Sequence, residues 1–137
     1  WRDPRSPAHV GDMPHAWIGA EFVLAFRSML AFERERDQAL VVAAGVPLEW
    51  LASDEGIAVR GMPTWYGTLD FTMRRSSGAL DVDLMLDAPT MPAGGIVVRP
   101  PCDAALRAVL VDGKPIARFT GSEATIEKVA ATVRMTW

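Results

Sequence analysis

The sequence predicts a mainly β protein: an antiparallel β-sandwich of about eight strands, preceded by one long N-terminal α-helix. Three observations carry this expectation. From about residue 12 to about Arg36 apolar side chains recur at helical spacing. After residue 38 the apolar runs become short and are divided by Gly, Pro, Asp and Ser. The clearest of those runs alternate apolar and polar residues, the pattern of half-buried strands. The chain divides accordingly into an irregular leader with a long helix at 1–37 and a sandwich domain at 38–137.

Residues 1–11 hold two prolines and show no periodicity, so they read as irregular. Asp12 is placed to cap the helix, with Pro14 in the first turn, where its missing N–H costs little. Ile18, Phe22, Ala25, Met29 and Phe32 form one apolar stripe, and Gly19, Val23, Phe26 and Leu30 a second beside it. Only Glu21, Arg27 and Ser28 interrupt this surface before the polar run Glu33–Gln38. A helix apolar nearly all round is expected to be buried on several sides. One small β domain covers one of them, so the surface around Phe22, Phe26 and Met29 is expected to fold back, to self-associate, or to meet a domain outside this chain.

Ala39–Ala44 reads as a short strand ended by Gly45, and Pro47–Leu51 as one helical turn. Ile57–Arg60 is a further short strand. Leu69, Phe71 and Met73 alternate with Asp70, Thr72 and Arg74; Leu80, Val82, Leu84 and Leu86 alternate against Asp81, Asp83 and Asp87. With Ser76-Ser77-Gly78 between them, these two runs form the clearest hairpin. Gly94-Gly95 leads into the strand Ile96–Arg99, which Pro100-Pro101 stops. Leu106–Val111 and Pro115–Phe119 flank the turn Asp112-Gly113-Lys114, and Ala124–Val129 and Thr132–Trp137 complete the set.

Composition narrows the functional classes. Half the residues are apolar and 23% are charged, which suits a packed domain rather than a disordered chain. The net charge is −3 and the cations are scattered among acids, so no basic stripe favours a nucleic-acid partner. Cys102 is the only cysteine and His9 and His15 the only histidines, too few for a disulfide or a thiolate or imidazole metal site. No apolar run reaches the ~20 residues that span a bilayer, and no phosphate-binding loop or nucleophile elbow is present. No cofactor is expected.

Two groups of residues are candidates for sugar chemistry. Asp12, His15 and Trp17 bring a carboxylate, an imidazole and an indole to the start of the helix. Trp50, Trp65 and Tyr66 sit near predicted loops and could form a platform, because flat rings stack on sugar faces. The plainer reading makes Asp12 a cap, His15 a junction residue and the aromatics hydrophobic anchors. Glu49, Asp54 and Glu55 share one loop but lack the fixed separation across a cleft that glycoside hydrolysis needs.

A His followed four residues on by Gly at the start of a long helix, then a β-sandwich, resembles the end of (α/α)6-barrel glycoside hydrolases, the bacterial α-L-rhamnosidase-like enzymes in particular. The stretches that carry the resemblance are Pro14-His15-Ala16-Trp17-Ile18-Gly19, Pro63-Thr64-Trp65-Tyr66-Gly67-Thr68-Leu69, Pro92-Ala93-Gly94-Gly95-Ile96-Val97-Val98 and Val109-Leu110-Val111-Asp112-Gly113-Lys114-Pro115. Two positions depart from the pattern: Pro14 stands where the family has Asn, and Asp12 has no counterpart. The resemblance implies that the chain is the C-terminal portion of a bacterial glycoside hydrolase, inactive alone, with an upstream catalytic barrel of the same polypeptide as partner. It implies that His15 lines the sugar cleft of the parent, while the general acid and base come from the barrel; Trp17 and Asp12, beside His15 at the helix start, are read as further contributors to that cleft. A carbohydrate-binding module and a purely structural accessory domain are the alternatives.

Overall fold

The computed structural model describes residues 2–3, 6–9, 16–101 and 104–137; Asp12, His15 and Cys102 lie outside the described residues. Where an irregular leader was expected, β1 (Arg2–Asp3) and β2 (Ser6–His9) pair as a short antiparallel ribbon. The helix, α1 (Ala16–Leu30), stops at Leu30 rather than near Arg36 and passes with no intervening loop into β3 (Ala31–Arg34). The physical reason lies downstream. The Gly45 N–H donates to the Met29 carbonyl at 3.0 Å and the Ala43 N–H to the Leu30 carbonyl at 2.8 Å. The last helical carbonyls are therefore satisfied by a later segment instead of by another turn. A Cβ at Gly45 would meet the Met29 backbone at 2.8 Å, so this close approach needs glycine.

From that corner β3 pairs antiparallel with β4 (Ala39–Val42), Ala31 opposite Val42 and Arg34 opposite Ala39. The 37/38 division expected from the sequence thus falls inside the turn of a hairpin. A 3₁₀ turn at Leu48–Leu51 leads to β5 (Ile57–Pro63), β6 (Thr68–Ser76) and β7 (Ala79–Asp87). The remaining strands are β8 (Ile96–Val98), β9 (Ala108–Val111), β10 (Lys114–Pro115), β11 (Ala124–Ile126) and β12 (Ala130–Thr136).

Ten of the strands form two sheets. The larger is antiparallel throughout, in the order β10-β9-β12-β7-β6-β5, and the smaller runs β11-β8-β4-β3. Within the smaller sheet β4 and β8 are parallel, a departure from the wholly antiparallel expectation. Between them the chain makes its β5–β6–β7 excursion into the other sheet and returns in the original direction. The two hairpins with the strongest turn residues form as expected. Gly78 (φ 72°) closes β6–β7, and Asp112 (φ 50°) with Gly113 (φ 76°) closes β9–β10 in the doubly left-handed turn that suits strand twist.

The inner faces of both sheets meet in one core. Leu40, Val42, Ile96, Val98 and Ile126 come from the smaller sheet and face Leu69, Phe71, Met73, Val82, Leu84, Val133 and Met135 from the larger. On β4 all four residues are buried, because Ala39 and Val41 also pack with Val97 and Phe32 on the sheet's other face. That explains why this strand shows no alternation in sequence. Arg34 and Glu123, at opposite edges of the smaller sheet, form an ion pair at 3.2 Å, with Asp37 bound to Arg34 at 2.8 Å.

The outer face of the larger sheet carries a polar ladder. Arg134 grips Asp81 on the neighbouring strand at 2.8 and 3.0 Å, and the Thr132 hydroxyl donates to Asp83 at 2.8 Å. Such exposed pairs fix register more than they add stability. Phe71→Ala, which empties the largest fully buried side chain, should lower unfolding free energy by about 3–5 kcal/mol, whereas Met85→Ala on the outer face should stay within about 0.5 kcal/mol. Chemical denaturation of the two variants beside the parent chain checks both.

Candidate functional site

At the end of α1 one carboxylate ties three parts of the chain together. Arg27 is the residue that breaks the apolar helix surface one turn before its end. Its guanidinium binds both oxygens of Glu33, at 2.8 and 3.2 Å, and also donates to the Pro63 carbonyl at 2.9 Å. Glu33 Oε1 accepts the Trp65 N–H at 3.0 Å. The Glu33 side chain is only 6% exposed. Burial, the largest single influence, pushes its pKa up, but the hydrogen bonds from Arg27 and the Trp65 amide together with the Arg27 charge outweigh it and hold the carboxyl below its ordinary value.

The loop so anchored is Thr64–Gly67. The Thr64 N–H donates to the Gly67 carbonyl at 2.9 Å, and the Thr64 hydroxyl accepts from the Tyr66 and Gly67 amides at 3.2 and 3.1 Å. Gly67 has φ 151°, and a Cβ there would run into the Asp87 carbonyl. Every amide of this turn is therefore engaged or wedged. It nevertheless holds the Trp65 indole out in solvent, 70% exposed. Beside it Tyr66 is half-buried against the core. Burial first, and then the charges of Glu33 and Asp37, raise the Tyr66 pKa, so the hydroxyl stays protonated across the neutral range.

Trp65 and Tyr66 wall a groove of about 440 Å³ with Glu35, Gln38, Met91 and Pro92. Gln38 stands at φ 54°, a left-handed conformation uncommon for a residue with a side chain. The Pro92–Gly95 turn that forms the opposite wall is stitched to it, the Gly94 N–H donating to the Gln38 carbonyl at 3.1 Å.

The six residues singled out from sequence are therefore not one site. Trp65 and Tyr66 share the groove. Trp50 does not line it; it lies on the 3₁₀ turn against Phe26 of the helix, ring centroids 6.1 Å apart at 41°. The three-ring platform is thus split, because Trp50 is used to seat the helix. Trp17 sits on α1, 60% exposed, while Asp12 and His15 fall outside the described residues. Glu49 is exposed on the 3₁₀ turn, and Asp54 and Glu55 are exposed on the loop that follows it.

Sequence reasoning missed Glu35, Gln38, Met91 and Pro92 because it ran the helix to about Arg36, read Gln38 only as the end of a polar run, and saw only turn chemistry at Pro92. It also missed the Arg27–Glu33 clamp. The available signal was a lone Arg in an apolar helix and a Glu six positions on, a spacing that no helix face brings together.

A larger hollow, about 520 Å³, opens between the sheets beside β10 and β11. Two of the cations on its rim, Lys128 and Arg118, are already paired with Asp112 and Glu127. Among the described residues no group of His, Cys, Asp or Glu could hold a metal ion, and no helix is long and apolar enough to cross a membrane.

Glu33→Gln should cost about 1–3 kcal/mol at neutral pH, since it removes a carboxylate that satisfies a largely covered guanidinium. Because the folded-state pKa of Glu33 is depressed, its contribution is present above the ordinary glutamate range and is lost as pH falls through the lowered value. The variant should therefore lose less stability than the parent between about pH 5 and pH 2. A residual acid slope from Asp37 and Asp112, both also held low by their cationic partners, should remain. Urea melts across that range measure the difference.

Comparison of the chain with protein-family models, with curated proteins and with solved structures finds no match.

Proposed function

We propose that this chain is the C-terminal part of a carbohydrate-active enzyme of glycoside-hydrolase type, in which α1 docks among the helices of an upstream catalytic barrel and the sandwich supports that barrel. The observation that carries the docking is the state of the helix. None of its residues is buried, and Trp17, Ile18, Phe22, Val23, Leu24 and Phe26 all stand in solvent, Phe22 at 74% exposure. Burying each such side chain fully is worth about 1.5–3 kcal/mol, so a surface of this kind is a strong drive to associate.

Two details favour a helical neighbour. Exposed apolar residues occur around the helix rather than on one stripe, as suits a helix surrounded by others. A Cβ at Gly19 would meet nothing within 4 Å, which leaves room for another backbone to approach closely there. The assignment to sugar chemistry rests on the resemblance of the helix start and of the three sandwich stretches to the rhamnosidase-like enzymes. In this reading His15, Trp17 and Asp12 face the sugar cleft of the parent, catalysis belongs to the barrel, and the isolated chain turns over no glycoside.

The test combines mass with mutation. The native polypeptide, measured intact in its source cells, should extend upstream of Trp1 through a helical domain. A native chain without such a domain, or turnover of aryl glycosides by the isolated chain, sinks the proposal. Phe22→Asp should leave the thermal stability of the sandwich unchanged while abolishing self-association of the isolated chain in sedimentation. A loss of stability as large as that of a core substitution would instead show the helix folded back on its own sheet.

A further inference from the structure

We infer that the groove beside Trp65 is a binding site for an uncharged sugar, with the Trp65 indole as the stacking surface and Glu35, Gln38 and the Tyr66 hydroxyl as hydrogen-bonding groups. An indole left largely in water forgoes the burial that such a side chain ordinarily gains. Here it is held there by a turn whose amides are bound to the Thr64 hydroxyl, the Gly67 carbonyl and the Glu33 carboxylate. A rigid turn that presents a flat ring loses little conformational entropy when a ligand settles on it.

A pyranose offers a C–H face for an aromatic ring and a rim of hydroxyls, and the groove offers the matching pair of surfaces. Met91 and Pro92 supply apolar wall; the Glu35 carboxylate accepts, the Gln38 amide both donates and accepts, and the Tyr66 phenol stays protonated to donate. Neither Lys nor Arg lines the groove, and Glu35 contributes a negative charge, so phosphorylated sugars and uronic acids are disfavoured. The volume lies in the range of small-molecule sites.

Gln38 (φ 54°) closes the β3–β4 turn, its N–H donating to the Glu35 carbonyl at 3.3 Å, so a single hairpin turn carries both Glu35 and Gln38 to the groove. The inference does not depend on the docking of α1, because no residue of that helix lines the groove.

Isothermal titration of the chain with a panel of neutral mono- and oligosaccharides (glucose, galactose, mannose, xylose, and the disaccharides cellobiose and xylobiose) tests it. Expected is saturable binding of at least one member that Trp65→Ala weakens about tenfold or more. Gln38→Ala should produce a smaller drop, and glucuronic acid should bind more weakly than glucose. The melting temperature of Trp65→Ala should match that of the parent chain. Four results would overturn the inference: no saturable binding across the panel; binding that survives Trp65→Ala; a change in sedimentation of Trp65→Ala without sugar, which would make the indole a protein contact; or loss of binding in Phe22→Asp, which would move the site to the helix.

Discussion

The Arg27–Glu33 pair is the interaction on which the rest of the arrangement depends. A helix with no buried residue has little reason to hold any fixed direction relative to the body it leaves. Here a bidentate guanidinium–carboxylate contact fixes that direction, and the same carboxylate seats the Trp65 turn. The pair is useful because it is largely covered: a similar contact in open solvent would be worth little. Its carboxylate sits on the inner side of an edge strand, close to where the two sheets close against each other at the Thr64–Gly67 turn. One residue therefore sets the positions of both surfaces on which the functional readings stand.

The β architecture was largely legible from local pattern, and the reason is visible in particular elements. Leu69–Met73 and Leu80–Leu86 alternate because one face of the larger sheet meets the core and the other meets water. Asp112-Gly113 can adopt two successive left-handed conformations, which few other pairs do as readily. By contrast, the end of the helix was not legible. Phe32 continues the stripe set by Phe22 and Met29, and Glu33-Arg34-Glu35 is good helical sequence. What overrides that local preference is a set of hydrogen bonds from Ala43, Gly45 and the β4 ladder, all distant enough in sequence to leave no periodic trace. The parallel pairing of β4 with β8 was hidden for the same reason, since it follows from how three intervening strands are shared between sheets.

The candidate site divides in the same way. Trp65 and Tyr66 could be picked out as exposed aromatics on a loop, yet nothing local separated them from Trp50. Only the tertiary fold turns Trp50 toward Phe26 and brings Gln38 and Met91, more than fifty residues apart, to face Trp65. Sequence identifies which side chains can do a kind of chemistry; the groove itself comes from strand order.

The junction between α1 and β3 has a mechanical consequence. Because no loop separates them, a force on the helix is delivered straight to an edge strand held by the four paired positions of its hairpin with β4. Pulled along the strand axis, those pairings share the load and yield together in shear. Pulled sideways, they part in turn like a zipper, from Ala31 toward Arg34. The Trp65 amide on Glu33 and the Pro63 carbonyl on Arg27 resist that peeling midway along the strand, and Arg34, tied across to Glu123, resists it at the far end. The chain is therefore built to transmit axial load stiffly and to give way first to a transverse one.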